Sequence, residues 1–139
     1  MPGRGTAPRQ APLAETHRRH GLPCREHTLH TDLNQDNFII TPDDRTDVDW
    51  AFVSRGAARV ELAFLIPWLL KAGHTPPEAE RWTSQIPSWV QAPTGHIDRF
   101  ASVFAAQGRT ATQTRKDAWV KLHADLVEHW NDHRHQKAP

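Results

Sequence analysis

A chain of 139 residues holds one domain's worth of protein, enough for one sizeable core. Its net charge of +1 creates no field that would draw it to nucleic acid or to an anionic membrane. With Cys24 as its single cysteine, no internal disulfide can form, which fits a reducing, cytoplasmic setting.

Residues 1–28 are rich in Pro, Arg, Thr, Gly and His, with Arg4, Arg9, Arg18, Arg19 and Arg25 opposed by Glu15 and Glu26. Beyond alanine, Leu13 and Leu22 are the aliphatic anchors, too few to offset the entropy of ordering, so a flexible segment is expected. The N-terminus lacks the apolar run of a signal peptide. The most apolar window, Leu62 to Leu70, contains Pro67 and is too short to span a bilayer. A soluble protein is the expectation.

From Phe38 the pattern changes. Phe38-Ile39-Ile40 is a short apolar, largely β-branched run, and Thr41-Pro42-Asp43-Asp44-Arg45 places Pro and Asp where a turn uses them. Thr46 to Asp49 can return as a second strand, so a hairpin is predicted, with Asp47 an awkward polar residue in it. Downstream the periodicity is helical. Val60, Leu62, Ala63, Leu65, Ile66, Leu69 and Leu70 are apolar nearly all round, as in a helix buried in a core. Pro67 should kink that helix, and Gly73 sits where a C-terminal glycine cap would. Pro76-Pro77-Glu78 opens a second helix that Pro87 and Pro93 should end. Thr94 suits the N-cap of a third, with Ile97, Phe100, Ala101 and Phe104 on one face. The last helix places Trp119, Leu122, Leu126 and Trp130 on one stripe, and a polar tail occupies residues 136–139. The expected fold class is α+β, mainly α.

The chemistry lies in the segment from Leu29 to Trp50. His30 and Asp32 stand two apart, Asn37 follows Asp32 by five, and Asp49 comes twelve later in the frame Val48-Asp49-Trp50. Phosphoryl transfer uses these types together. A carboxylate orients the acceptor hydroxyl and takes its proton, while an amide oxygen and a second carboxylate suit magnesium between the phosphates. A hairpin between them would bring Asn37 and Asp49 to the same edge. His-x-Asp alone is a weak signal, and a polar loop and hairpin on an unrelated helical domain is the bland alternative.

The combined pattern resembles the aminoglycoside phosphotransferase family, which shares its catalytic core with choline kinases and eukaryotic protein kinases. His30, Asp32 and Asn37 match its H-x-D-x-x-x-x-N loop, and Val48-Asp49-Trp50 its apolar-Asp-Trp/Phe frame. The resemblance implies Asp32 as catalytic base, Asn37 and Asp49 as magnesium ligands, and His30 and Trp50 as supports of the loop. The run from Arg55-Gly56 to Glu61-Leu62-Ala63 is similar to the family's glycine-containing turn, acidic residue and helix, with Glu61 standing where Asp is more usual. The fold implied for residues 29–135 is the C-terminal helical lobe of a kinase-like fold, with the hairpin carrying the site. The function implied is ATP-dependent phosphorylation of a small-molecule hydroxyl with magnesium, independent of nucleic acid and membrane.

Such a kinase also needs a glycine-rich loop over the phosphates and a strand-borne lysine. Residues 1–28 contain no lysine, and Gly3 and Gly5 form a lone G-x-G with no strand before it. The expectation is therefore a chain lacking the ATP lobe, truncated or mis-started. A catalytically inactive remnant or a partner-binding lobe of that family is the alternative.

A third option comes from the ten histidines, since His129, His133 and His135 cluster late in the chain with Asp125 and Asp132 nearby. The solvated-face reading outweighs it. Of six tryptophans, Trp68, Trp119 and Trp130 are expected in the core. Asp98, Asp125, Glu128 and Asp132 are candidates for a cleft that takes a polycationic substrate, against the simpler reading as the wet faces of helices.

Overall fold

The computed structural model describes residues 26–49 and 52–136. Trp50 and most of the N-terminal segment lie outside the described residues, as do 137–139. The order is β1 (His27–Leu29), a 3-10 turn (Gln35–Asn37), β2 (Phe38–Ile40), β3 (Thr46–Val48), β4 (Ser54–Gly56) and five helices. These are α1 (Ala58–Lys71), α2 (Pro76–Thr83), α3 (Pro87–Val90), α4 (Thr94–Thr114) and α5 (Ala118–Gln136). The fold is mainly helical with two small antiparallel sheets. Among the described residues no helix is long and apolar enough to cross a membrane.

The hairpin forms where Pro42 and Asp43 announce a turn. Phe38 pairs with Val48 and Ile40 with Thr46, and Thr41 N–H closes on the Arg45 carbonyl at 2.9 Å. Asp44 takes the left-handed conformation, φ 58°, that Asp tolerates better than most residues. The second sheet joins β1 to β4, His27 opposite Gly56 and Leu29 opposite Ser54. It was not expected. Strand β1 therefore begins inside the stretch assigned to the flexible segment, and Arg55-Gly56 lies in a strand rather than a turn.

Helix α1 buries Val60, Ala63, Ile66, Pro67 and Leu70, a stripe at three- and four-residue spacing. Complete burial of a side chain such as Ile66 contributes roughly 1.5–3 kcal/mol relative to exposure. The helix continues past Pro67 to Lys71, although proline leaves the Ala63 carbonyl without an i+4 donor. It ends at Gly73, φ 101°, where His74 N–H reaches the Leu69 carbonyl at 3.1 Å and Gly73 N–H that of Leu70 at 3.0 Å. Those are the two bonds of a Schellman stop.

Helix α2 opens on Pro76 with a capping box in which Thr75 N–H and Oγ1 both donate to Glu78, each at 2.8 Å. These bonds hold the Glu78 carboxyl below its usual range. Pro87 does not end that helix: α2 stops at Thr83, and Pro87 begins α3, where a missing N–H costs nothing. Likewise Thr94 is the first residue of α4 rather than its cap, a place Pro93 takes.

Helices α4 and α5 are antiparallel neighbours, since residue 98 meets 134, 102 meets 135 and 109 meets 128. Gly108 makes the close approach possible, because a Cβ there would stand 3.1 Å from the Ala124 Cβ. The buried stripe of α5 is Val120, Ala124, Val127 and Trp130. The expected stripe is thus displaced: Trp119 is 54% and Leu122 46% exposed, and Arg115 covers the Trp119 ring at 5.1 Å. Trp68 is half-buried, and Trp130 is completely buried.

A polar knot crosses this core. Arg134, with its side chain 9% exposed, donates to Glu80 at 2.5 Å and to Asp98 at 2.6 Å. The indole N–H of Trp130 donates to the same Glu80 oxygen at 2.9 Å. Nearby, Phe64 packs edge-on against Phe100 and Phe104, ring centres 5.6 and 5.3 Å away. His123 lies 5.5 Å from both Trp68 and Phe104.

Two outcomes follow from this packing. Gly73→Ala meets no neighbour but forces a Cβ into left-handed backbone, so urea melts should show about 1–2 kcal/mol lost. Burial holds the His123 imidazole below its ordinary 6.5. Above pH 6.5 the ring is neutral folded or unfolded. Below it the unfolded chain takes a proton that the folded chain refuses, so stability falls as pH drops. The melting temperature of His123→Gln should decline less steeply over that window; an identical slope would contradict the assignment.

Candidate active site

The loop leaving β1 is held by one carboxylate. Glu61, in the first turn of α1, accepts His30 N–H at 2.6 Å and Thr31 N–H at 3.1 Å. Thr31 adopts φ 64°, a strained conformation for a β-branched residue. Its hydroxyl is tied to the Phe52 carbonyl at 2.5 Å. Three bonds thus keep Thr31 where sterics alone would not.

His30 is buried and spans the site. Its Nε2 donates to the Asp49 carbonyl, and its Nδ1 accepts Asp32 N–H at 3.2 Å. A ring that accepts at Nδ1 and donates at Nε2 is the neutral Nε2–H tautomer. It locks the start of the loop to the end of the hairpin.

Asp32 receives an amide on each carboxylate oxygen: Asn34 Nδ2 on Oδ1 at 2.9 Å, and Asn37 Nδ2 on Oδ2 at 2.9 Å. Asn37 Nδ2 also donates to the Asp32 carbonyl at 2.7 Å. Across the hairpin base, Asp49 N–H donates to the Asn37 carbonyl at 3.0 Å. Asp32, Asn37 and Asp49 are therefore brought together, with His30 between Asp32 and Asp49 and Glu61 behind the loop. Asp32 and Asn37 are half-buried, whereas Asp49 is exposed. Trp50 lies outside the described residues.

Asn34 is the residue that sequence reasoning passed over. Besides holding Asp32, its side chain caps the 3-10 turn by accepting Asp36 N–H at 2.9 Å. An Asn before a short polar Gln-Asp-Asn run is a capping signal, and that was the clue available. Thr31 offered none, because threonine is not a residue that advertises left-handed backbone.

For magnesium, the donor chemistry fits. Asn37 spends its amide nitrogen on Asp32, which leaves the hard amide oxygen as its ligand atom, and exposed Asp49, whose backbone N–H meets the Asn37 carbonyl, has a carboxylate of the same hard chemistry. Among the described residues no three His, Cys, Asp or Glu side chains converge as a metal site. His135 instead bonds the Asn131 carbonyl at 2.8 Å and lies 3.3 Å from Ser102 Oγ. The acidic residues suggested for a cationic substrate are also engaged: Asp98 with Arg134, Asp125 with Lys121, and Glu128 with Arg109.

Comparison with models of protein families, with curated proteins and with solved structures finds no match for this chain.

Glu61→Gln should loosen the loop, since its single amide oxygen cannot accept both N–H groups and its NH2 would face a donor. A loss of about 1–3 kcal/mol is expected. It is read as faster hydrogen exchange at the His30 and Thr31 amides; unchanged protection there would remove the clamp.

Proposed function

We propose that residues 29–135 form the helical lobe of a kinase-like phosphotransferase, similar to the aminoglycoside phosphotransferases, that phosphorylates a small-molecule hydroxyl from ATP. The observation that carries this reading is the bonded constellation of Asp32, Asn37 and Asp49 behind which Glu61 pins the loop.

In this reading Asp32 is the base. Two amides fix the plane of its carboxylate, and each oxygen keeps a lone pair for the acceptor hydroxyl. Asp32 orients that hydroxyl and takes its proton as the new O–P bond forms and the bond to ADP breaks. Asn37 and Asp49 present the oxygens that would hold magnesium, and His30 keeps the two halves of the site in register. Magnesium, when bound, supplies charge neutralisation on the phosphate oxygens.

A second reading is a partner-binding lobe without activity of its own. Ile39, Ile40, Phe52 and Val53 favour it, because all four are exposed on the segments flanking the site.

The deciding measurement is magnesium-dependent ATP binding by calorimetry, followed by turnover with a panel of amino-alcohol and sugar acceptors. Asp32→Asn is expected to keep nucleotide binding and to lose roughly 10²–10⁴-fold in turnover. No magnesium-dependent ATP binding, together with no effect of Asp32→Asn, would leave the partner-binding reading standing in its place.

A further inference from the structure

We propose that Thr31 is a positioning residue of the candidate site, its hydroxyl standing in for a sheet bond to Phe52 and so fixing the turn that aims Asp32. In the β1–β4 sheet His27 stands opposite Gly56 and Leu29 opposite Ser54. Carried two residues further, the same register sets Thr31 opposite Phe52. That pair lies beyond the ends of both strands. It is bonded all the same, because Thr31 Oγ1 donates to the Phe52 carbonyl at 2.5 Å. The Thr31 N–H, the usual donor on a sheet rung, is turned instead to Glu61 at 3.1 Å. A side chain thus supplies the bond that the backbone has given up.

The backbone conformation explains why a side chain is needed. Thr31 sits at φ 64°, which glycine occupies freely and a β-branched residue occupies under strain. Apolar packing gives this rung little support, since the Phe52 and Val53 side chains are 62% and 60% exposed. The two polar bonds hold it, one from the N–H to α1 and one from the hydroxyl toward β4. Thr31 is gripped from both sides.

Asp32 is the next residue, so rotation at Thr31 carries it directly. Relaxation to the ordinary negative φ would swing the following chain by about 120°. Asp32 would then leave the Asn34 and Asn37 amides, each 2.9 Å from its carboxylate oxygens. A strained residue at a site where one carboxylate is so placed marks strain put to use. Only the role of Asp32 as base is taken from the phosphotransferase reading; the geometry that aims it stands without that reading.

The test compares Thr31→Ser, Thr31→Gly and Thr31→Val by following the side-chain amide signals of Asn34 and Asn37 in nitrogen-15 NMR spectra. Thr31→Ser keeps the hydroxyl and should keep both signals where the unaltered chain has them. Thr31→Gly and Thr31→Val lose the hydroxyl and should move both signals toward the position of an unbonded amide. Glycine removes the strain as well, so a Thr31 with no positioning role would leave the signals of Thr31→Gly in place. That result would overturn the inference, whether or not Thr31→Val folds. In the phosphotransfer assay Thr31→Gly should lower kcat roughly 10–100-fold with little change in the KM for ATP, and Thr31→Ser should recover most of the loss. Absence of turnover in the unaltered chain would count against the phosphotransferase reading, while the Asn34 and Asn37 signals would still decide the role of Thr31.

Discussion

Two consecutive backbone N–H groups, those of His30 and Thr31, sit at the turn out of β1, and both point at the Glu61 carboxylate. A buried peptide donor without an acceptor is costly, and this stretch of chain has no ladder partner to offer. One side chain from the first turn of α1 satisfies both, at the helix end where negative charge is also favoured by the peptide dipoles. Because that carboxylate is fixed to the helix, the loop is fixed to the helical body. Left-handed Thr31 can then persist, His30 is aimed across to Asp49, and Asp32 is presented between two amides. Each step of the site's geometry is conditional on the one before it.

The helical body supplies what the loop needs, a rigid support for α1. Helix α1 is held by the Phe64 ring on Phe100 and Phe104 of α4, and by the Trp68 ring on His123 of α5. Gly108 removes the one Cβ that would hold those last two helices apart. The polar knot at Arg134 adds direction to an otherwise non-directional core, because only one docking of α5 satisfies Glu80, Asp98 and the Trp130 indole together.

Legibility in the sequence followed the range of the interactions. The β2–β3 hairpin was readable since Pro42 and Asp43 act within five residues. The inward face of α4 was readable because Ile97, Phe100, Ala101 and Phe104 repeat at helical spacing. The β1–β4 sheet was not, since three-residue strands of mostly polar character, His27–Leu29 and Ser54–Gly56, are specified by their pairing across the intervening site. The α5 stripe was misplaced by apolarity: Trp119 and Leu122 are greasier than Ala124, yet Gly108 draws the small residue inward. For the site, residue types and spacing pointed to Asp32, Asn37 and Asp49. That Glu61 holds backbone rather than a cation, and that Asn34 braces Asp32, depends on distances no spacing encodes.

The knot at Arg134 has a consequence for how the chain acquires its shape. Glu80 and Asp98 precede their arginine by 54 and 36 residues. As the polypeptide emerges from the ribosome, both carboxylates exist before their arginine does. Closure waits for the last turn of α5. Docking of that helix joins indole, guanidinium and two carboxylates in one cluster. A nascent chain stopped short of residue 134 would remain open to proteases and chaperones along the seam where α5 belongs.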